Sequence, residues 1–186
     1  MKRTASLLWS SILLAGPVMA ADYKVDDAHS NIAFKVSHMG FSTMLGRFNQ
    51  FEGSYFFDGD NPAAAKVDLT IQAESVDTNH EPRDKHLRSP DFFDVRQYPT
   101  LNFTSTGYEG TKESGKLTGD LTLHGVTKPV TLDVAFVGEG DDPWGGFRNG
   151  FNAVGKIKRS EFGMEYGLPG IGDDIELNVF VEGIRQ

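Results

Sequence analysis

The sequence has no cysteine among its 186 residues. That excludes disulfides, thiolate zinc sites, a cysteine nucleophile and lipid attachment through an N-terminal cysteine. Basic residues are scarce as well: 18 Lys and Arg stand against 26 Asp and Glu. A nucleic-acid-binding face needs an excess of positive charge, so that class of partner is not expected. Beyond residue 20 no apolar run approaches the roughly 20 residues of a spanning helix. No Gly-x-Ser-x-Gly elbow, Gly-x-Gly-x-x-Gly loop or P-loop occurs. The usual markers of serine hydrolases and of nucleotide binding are therefore missing. The five histidines (His29, His38, His80, His86 and His124) form neither His-x-x-x-His nor His-Glu-x-x-His, and no metal site is expected. Asp58 to Asn61 begins like a calcium loop, but Pro62-Ala63-Ala64 replaces the later ligands and makes it a turn.

The amino terminus carries a targeting pattern. Lys2 and Arg3 precede an apolar run from Leu7 to Leu14, Gly16-Pro17 breaks it, and Val18-Met19-Ala20 offers small residues where a signal peptidase reads. Residues 1–20 read as a cleaved signal peptide, too short to anchor in a bilayer, and 21–186 as a single exported domain. A bacterial signal of this kind places the product in the periplasm.

That domain is rich in Gly (21) and Phe (14) and alternates with period two. Ile32, Phe34 and Val36 oppose Ala33, Lys35 and Ser37. The same pattern runs through Val67, Leu69, Ile71; Leu101, Phe103; Leu117, Leu121, Leu123; Val130, Leu132, Val134, Phe136; Phe151, Ala153, Ile157; and Ile175, Leu177, Val179, Val181. Asp22–Asp26 and Arg47–Asp58 are weaker strand candidates. About eight antiparallel strands with one apolar face must hide that face. A closed barrel does so and removes exposed edges, while a sandwich would give the same alternation.

One segment departs from it. From Thr78 to Arg88 charge dominates, and a helical insertion after about residue 77 is expected, capped by Thr78 or Asn79 with Pro82 in its first turn. Asp84 stands four residues before Arg88, in ion-pairing position. Ser89-Pro90-Asp91 begins a second short helix bearing Phe92 and Phe93. Trp144 is expected to stack on a sugar or to plug an end of the barrel.

No catalytic constellation assembles, so the interior is the functional candidate. Phe34, Val36, Leu69, Ile71, Leu101, Phe103, Val134, Phe136, Phe151 and Val179 share the apolar phase and are the expected lining. Small residues among them (Gly119, Ala153, Gly155) permit a cavity, although the same pattern also builds a solid core.

Two blocks are specific. Ser75-Val76-Asp77-Thr78-Asn79-His80-Glu81-Pro82-Arg83-Asp84-Lys85-His86-Leu87-Arg88-Ser89 and Gly119-Asp120-Leu121-Thr122-Leu123-His124-Gly125-Val126-Thr127-Lys128-Pro129-Val130 closely resemble the YceI family. Supporting stretches are His29 with Phe34, His38-Met39-Gly40, Gly46-Arg47-Phe48 and Asp142-Pro143-Trp144-Gly145, with Glu161 where many members have Asp. The resemblance implies an all-β, eight-stranded, lipocalin-like antiparallel barrel whose pore accommodates a polyisoprenoid or similar amphiphile. It transfers no catalytic residue and no cofactor. The expectation is a periplasmic carrier for a long apolar ligand such as a polyisoprenoid or isoprenoid quinone, not an enzyme. Arg83, His86 and Arg88 are candidates for an anionic head, because a bidentate guanidinium suits a diphosphate. A ligand-free stress-response or interaction module, or an enzyme acting on a bound lipid, would share the fold.

Overall fold

The computed structural model describes residues 20–186, so the segment read as a signal peptide lies, Ala20 apart, outside the described residues. The strands are β1 (Ala21–Val25), β2 (Asn31–His38), β3 (Ser42–Phe48), β4 (Phe51–Phe57), β5 (Lys66–Gln72), β6 (Val76–Asp77), β7 (Thr100–Gly110), β8 (Ser114–Leu123), β9 (Val126–Asp141), β10 (Phe147–Lys158) and β11 (Ile171–Arg185). The α-helix α1 spans Glu81–Leu87. Every strand pairing is antiparallel, and β1 pairs with both β4 and β11, which closes the ring.

Eleven segments make eight staves. The 15-residue β11 pairs with β2 along its first part and with β1 along its last, so β1 and β2 are halves of one bent strand. The pairs β3/β4 and β5/β6 repeat the arrangement, since β4 lies between β1 and β5 while β3 lies between β2 and β6. Backbone bonds carry the ladder across these bends: Gln72 N–H donates to Gln50 O at 2.9 Å and Asn49 N–H to Ser75 O at 3.1 Å. The eight-stranded antiparallel barrel, which the alternation allowed alongside a sandwich and the YceI resemblance implied, is the observed fold.

The alternation also fixes the faces. Ile71, Leu101, Phe103, Leu117, Leu121, Leu123, Val130 and Leu132 are buried inside, while Thr104, Asp120, Thr131 and Asp133 are exposed outside. Two glycines expected to leave space instead carry side chains from neighbouring strands. A Cβ on Gly119 would stand 2.4 Å from the Phe103 ring, and one on Gly155 would stand 2.5 Å from Leu132. Such glycines let a large cross-strand side chain lie flat over the strand.

The insertion differs from its expectation in three ways. His80 caps α1, its Nδ1 accepting the Arg83 N–H at 3.3 Å, in place of Thr78 or Asn79. Asp84 is buried and accepts the Thr78 N–H at 2.9 Å and the Thr78 hydroxyl, so it does not pair with Arg88. Residues 90–97 are turns and not a second helix, because Asp94 takes a left-handed backbone (φ 43°) that ends helical progress. Those turns aim Phe93 at the barrel, 5.5 Å from Phe48 and 6.5 Å from Phe34. The insertion, the His124-Gly125 turn and residues 159–170 thus close one end, the helical end. Loops 58–65, 111–113 and 142–146 surround the other, the far end.

Candidate functional site: an apolar cavity between two aromatic clusters

An interior cavity of about 180 Å³ lies between two groups of rings. At the helical end Phe34, Phe48 and Phe93 pack with centroids 5.5–6.5 Å apart. At the far end Phe151 meets Phe57 at 5.0 Å, Phe136 at 5.4 Å and Tyr55 at 5.9 Å. Between them the wall is aliphatic, with Leu69, Leu132, Val134, Leu177 and Val179 among its residues. Strands β5, β9 and β11 present these side chains inward, yet Leu69, Leu177 and Val179 are only half-buried because the space they face is unfilled. An apolar cavity of roughly 150 Å³ stays dry and takes a benzene-sized guest. This one has the same chemistry and slightly more room.

Eight of the ten expected lining residues border the cavity: Phe34, Leu69, Ile71, Leu101, Phe103, Val134, Phe151 and Val179. Val36 does not; it lies further along β2, opposite Met44 and Ile175. Phe136 is set back behind Phe57 and Phe151, with the Lys112 ammonium 5.0 Å from its ring. Sequence reasoning passed over Ile32, Leu117, Leu121 and Leu177, which share the alternation phase, and Tyr55, which lies on the strand read only weakly.

The three candidate head-binding residues are engaged elsewhere. Arg83 donates from Nε to Thr78 Oγ1 and from Nη2 to Thr78 O, both at 2.7 Å. Arg88 donates to Glu74 O at 2.8 Å and Val76 O at 3.0 Å. His86 bonds Asp91 at 2.8 Å and sits edge-on between Phe92 and Tyr166. Arg88 thus fastens the insertion to β6, while Arg83 and His86 brace it internally. Trp144 neither plugs the barrel nor stands free: it is 76% exposed and lies 5.4 Å from the Arg148 guanidinium.

Arg148 organises the charge at the far end. It donates to Asp142 at 2.9 Å, to Glu182 at 2.6 Å and to Asp26. Asp26, His29 and Glu182 are close enough together to hold a metal ion, but the guanidinium already serves two of the three. The Arg148 hydrogen bond, and then that of His29, hold the Asp26 carboxyl below the usual carboxylate range. Asp142 is held low first by the Gly146 N–H and then by Arg148. Carboxyls depressed in the folded state contribute stability that is present above their unperturbed value of 3.8 and lost as pH falls through the folded values. Melting temperature is therefore expected to be flat between pH 5 and 7 and to fall below about pH 4. In Arg148→Met that acid-side fall should be shallower and the neutral-pH stability lower. Identical slopes in both proteins would show that Arg148 does not set these carboxyls.

Burial pushes the Tyr55 hydroxyl well above the ordinary tyrosine range, so it keeps its proton and donates a hydrogen bond to Asn149 Oδ1. Among the described residues no helix is long and apolar enough to cross a membrane.

Known proteins share this architecture. The chain is 50% identical over 184 residues to the UPF0312 protein of Pseudomonas aeruginosa strain LESB58, covering 98% of this chain and 96% of that one. It is 48% identical to Protein YceI of Escherichia coli O157:H7, with 98% and 94% covered. Among solved structures, the YceI protein of Campylobacter jejuni superposes with a TM-score of 0.73 at 37% identity, covering 81% of this chain and 90% of that one. BcnA of Burkholderia cenocepacia superposes with a TM-score of 0.78 at 24% identity (85% and 98% covered), a likeness of fold. A polyisoprenoid-binding domain from Saccharophagus degradans shares the fold at 18% identity, with a TM-score of 0.65 and 88% and 98% covered. Residues 23–183 match the YceI-like domain, and the chain belongs to that family.

Proposed function

We propose that this protein is a periplasmic carrier that holds a long apolar lipid, of the polyisoprenoid or isoprenoid-quinone class, inside its barrel. The observation that carries the reading is the apolar, largely aliphatic cavity bounded by aromatic rings at both ends. The polyisoprenoid-binding domain with the same fold supports the ligand class. Each methylene moved from water into such a space contributes about 0.8 kcal/mol, so a few isoprene units suffice for binding, gross of ordering costs. A cavity of about 180 Å³ takes only the first of those units as it stands. A longer chain enters by parting the ring clusters, whose side chains move more cheaply than the hydrogen-bonded strands behind them.

Native mass spectrometry of the protein purified gently from its own host tests the reading. A lipid-sized adduct that denaturation releases supports the carrier. Turnover of that lipid would make the protein an enzyme, and repeated absence of any adduct would favour an interaction module. Export is tested on the same material: N-terminal sequencing should begin at Ala21, the first residue of β1, and a product retaining Met1 would overturn the assignment.

A further inference from the structure

Among the described residues, two buried polar atoms at the far end lack partners. Asn149 is 2% exposed; its Oδ1 accepts from Tyr55, but its Nδ2 donates to nothing. Glu139 gives Oε1 to the Lys112 ammonium at 2.6 Å, while its buried Oε2 accepts nothing. The two residues face each other across the β9–β10 ladder, so their side chains leave the same face of the sheet. Directly opposed residues stand about 5 Å apart at Cβ. Both border a groove of about 310 Å³, with Val137, Asp142, Arg148 and Glu182 around it. Tyr55 joins this groove to the apolar cavity: its ring lines the cavity and its hydroxyl bonds Asn149.

A buried donor beside a buried acceptor, both unmade, is costly for a protein to keep. One hydroxyl satisfies both, accepting from Nδ2 and donating to Oε2. Charge narrows the choice further. Glu139, Asp141, Asp142 and Glu182 border the groove, and the nearby cations Lys112 and Arg148 are already paired with carboxylates. An anionic head would meet four carboxylates and, among the residues that border the groove, only one cation, Arg148, which is already paired.

We propose that this groove, and not the arginines of the insertion, receives the polar head of the ligand, and that the head is a neutral group that both donates and accepts, in its simplest form a hydroxyl. The inference rests on the carrier reading and adds to it the chemistry and position of the head.

Three probes sharing one chain separate the two claims: farnesol, farnesyl diphosphate and the hydrocarbon farnesene, titrated against the full exported domain. Farnesol is expected to bind about tenfold more tightly than farnesene, the difference that about 1.4 kcal/mol of hydrogen bonding makes. The diphosphate should bind least well. In Glu139→Gln, which keeps an acceptor for Lys112 but replaces the Oε2 acceptor by an N–H donor, the hydroxyl loses the acceptor for its own proton and the preference for farnesol should shrink while farnesene binding is unchanged. Asn149→Leu should behave alike, and melting temperatures identify any variant that fails to fold. Equal binding of alcohol and hydrocarbon by the wild type overturns the head site and leaves the carrier intact. So does a diphosphate that outbinds the alcohol, or a variant that weakens alcohol and hydrocarbon equally. If none of the three probes binds, the carrier reading itself fails.

Discussion

Tryptophan at Val179 is expected to block lipid uptake while leaving the empty protein nearly as stable as before. Val179 lines the cavity and is only half-buried, so the larger ring grows into unfilled space. A ring that displaces one five-carbon isoprene unit forfeits about 4 kcal/mol of burial at ~0.8 kcal/mol per methylene, about a thousandfold in affinity. Ile71→Trp and Leu101→Trp probe the opposite wall of the same cavity, where β5 and β7 set the two residues side by side. Val36→Trp is the control, because Val36 shares the apolar phase without bordering the cavity. Its uptake should be unchanged. Binding of a farnesyl probe and thermal melting are read separately on each variant. Loss of binding with a melting temperature within the few degrees that ~1 kcal/mol produces marks a channel. In a solid core the same enlargements would overpack and cost about 1–3 kcal/mol each. If every variant is destabilised in that way and none loses binding selectively, the interior is a core and the ligand site must be sought on the loops.

The barrel was legible because its apolar phase survives along most of each strand. The bends were not. Nothing in Asn49-Gln50 marks a break, and β3 was missed because Ser42–Gly46 carries little apolar alternation, with Leu45 exposed. The insertion showed itself by charge, but its capping was misassigned, since burial of Thr78 with Asp84 is a tertiary fact. The polar pair at the far end was hidden for a sharper reason. Counting by twos from Phe136 puts Glu139 on the outer face. The register shift at Gly150/Phe151 sets Phe151 opposite Phe136 and Gly150 opposite Gly138, leaving Val137 unpaired and exposed. One extra residue resets the phase, and Glu139 arrives on the face of Asn149. Sequence periodicity does not announce where such a bulge falls.

Arg159→Leu is expected to be among the most destabilising single changes in the chain, for a reason unrelated to the cavity. Arg159 is 3% exposed and donates to three backbone oxygens: Met164 O at 2.7 Å, and Gly172 O and Ile171 O at 2.9 Å each. It therefore ties residues 159–164 to the start of β11 and closes the helical end beneath Phe162, which is 1% exposed. Burial draws its pKa down and the nearby Asp173 offsets part of that, while the intrinsic basicity of the guanidinium keeps it charged at neutral pH. Leucine fills part of the volume but leaves three carbonyls without their donor. Each orphaned buried group costs about 1–3 kcal/mol, and some relaxation and water entry reduce the sum, so a loss of about 3–5 kcal/mol is expected. For a domain of this size that lowers the melting temperature by roughly ten degrees. Arg159→Lys should recover only part of the loss, since an ammonium is a compact point donor and cannot reproduce the planar fork. Farnesyl-probe binding measured well below the melting point should survive in both variants, because the proposed head groove lies at the opposite end of the barrel. A loss below 1 kcal/mol in Arg159→Leu would mean that water replaces the guanidinium and that the helical end is held by Phe162 and Phe93 alone.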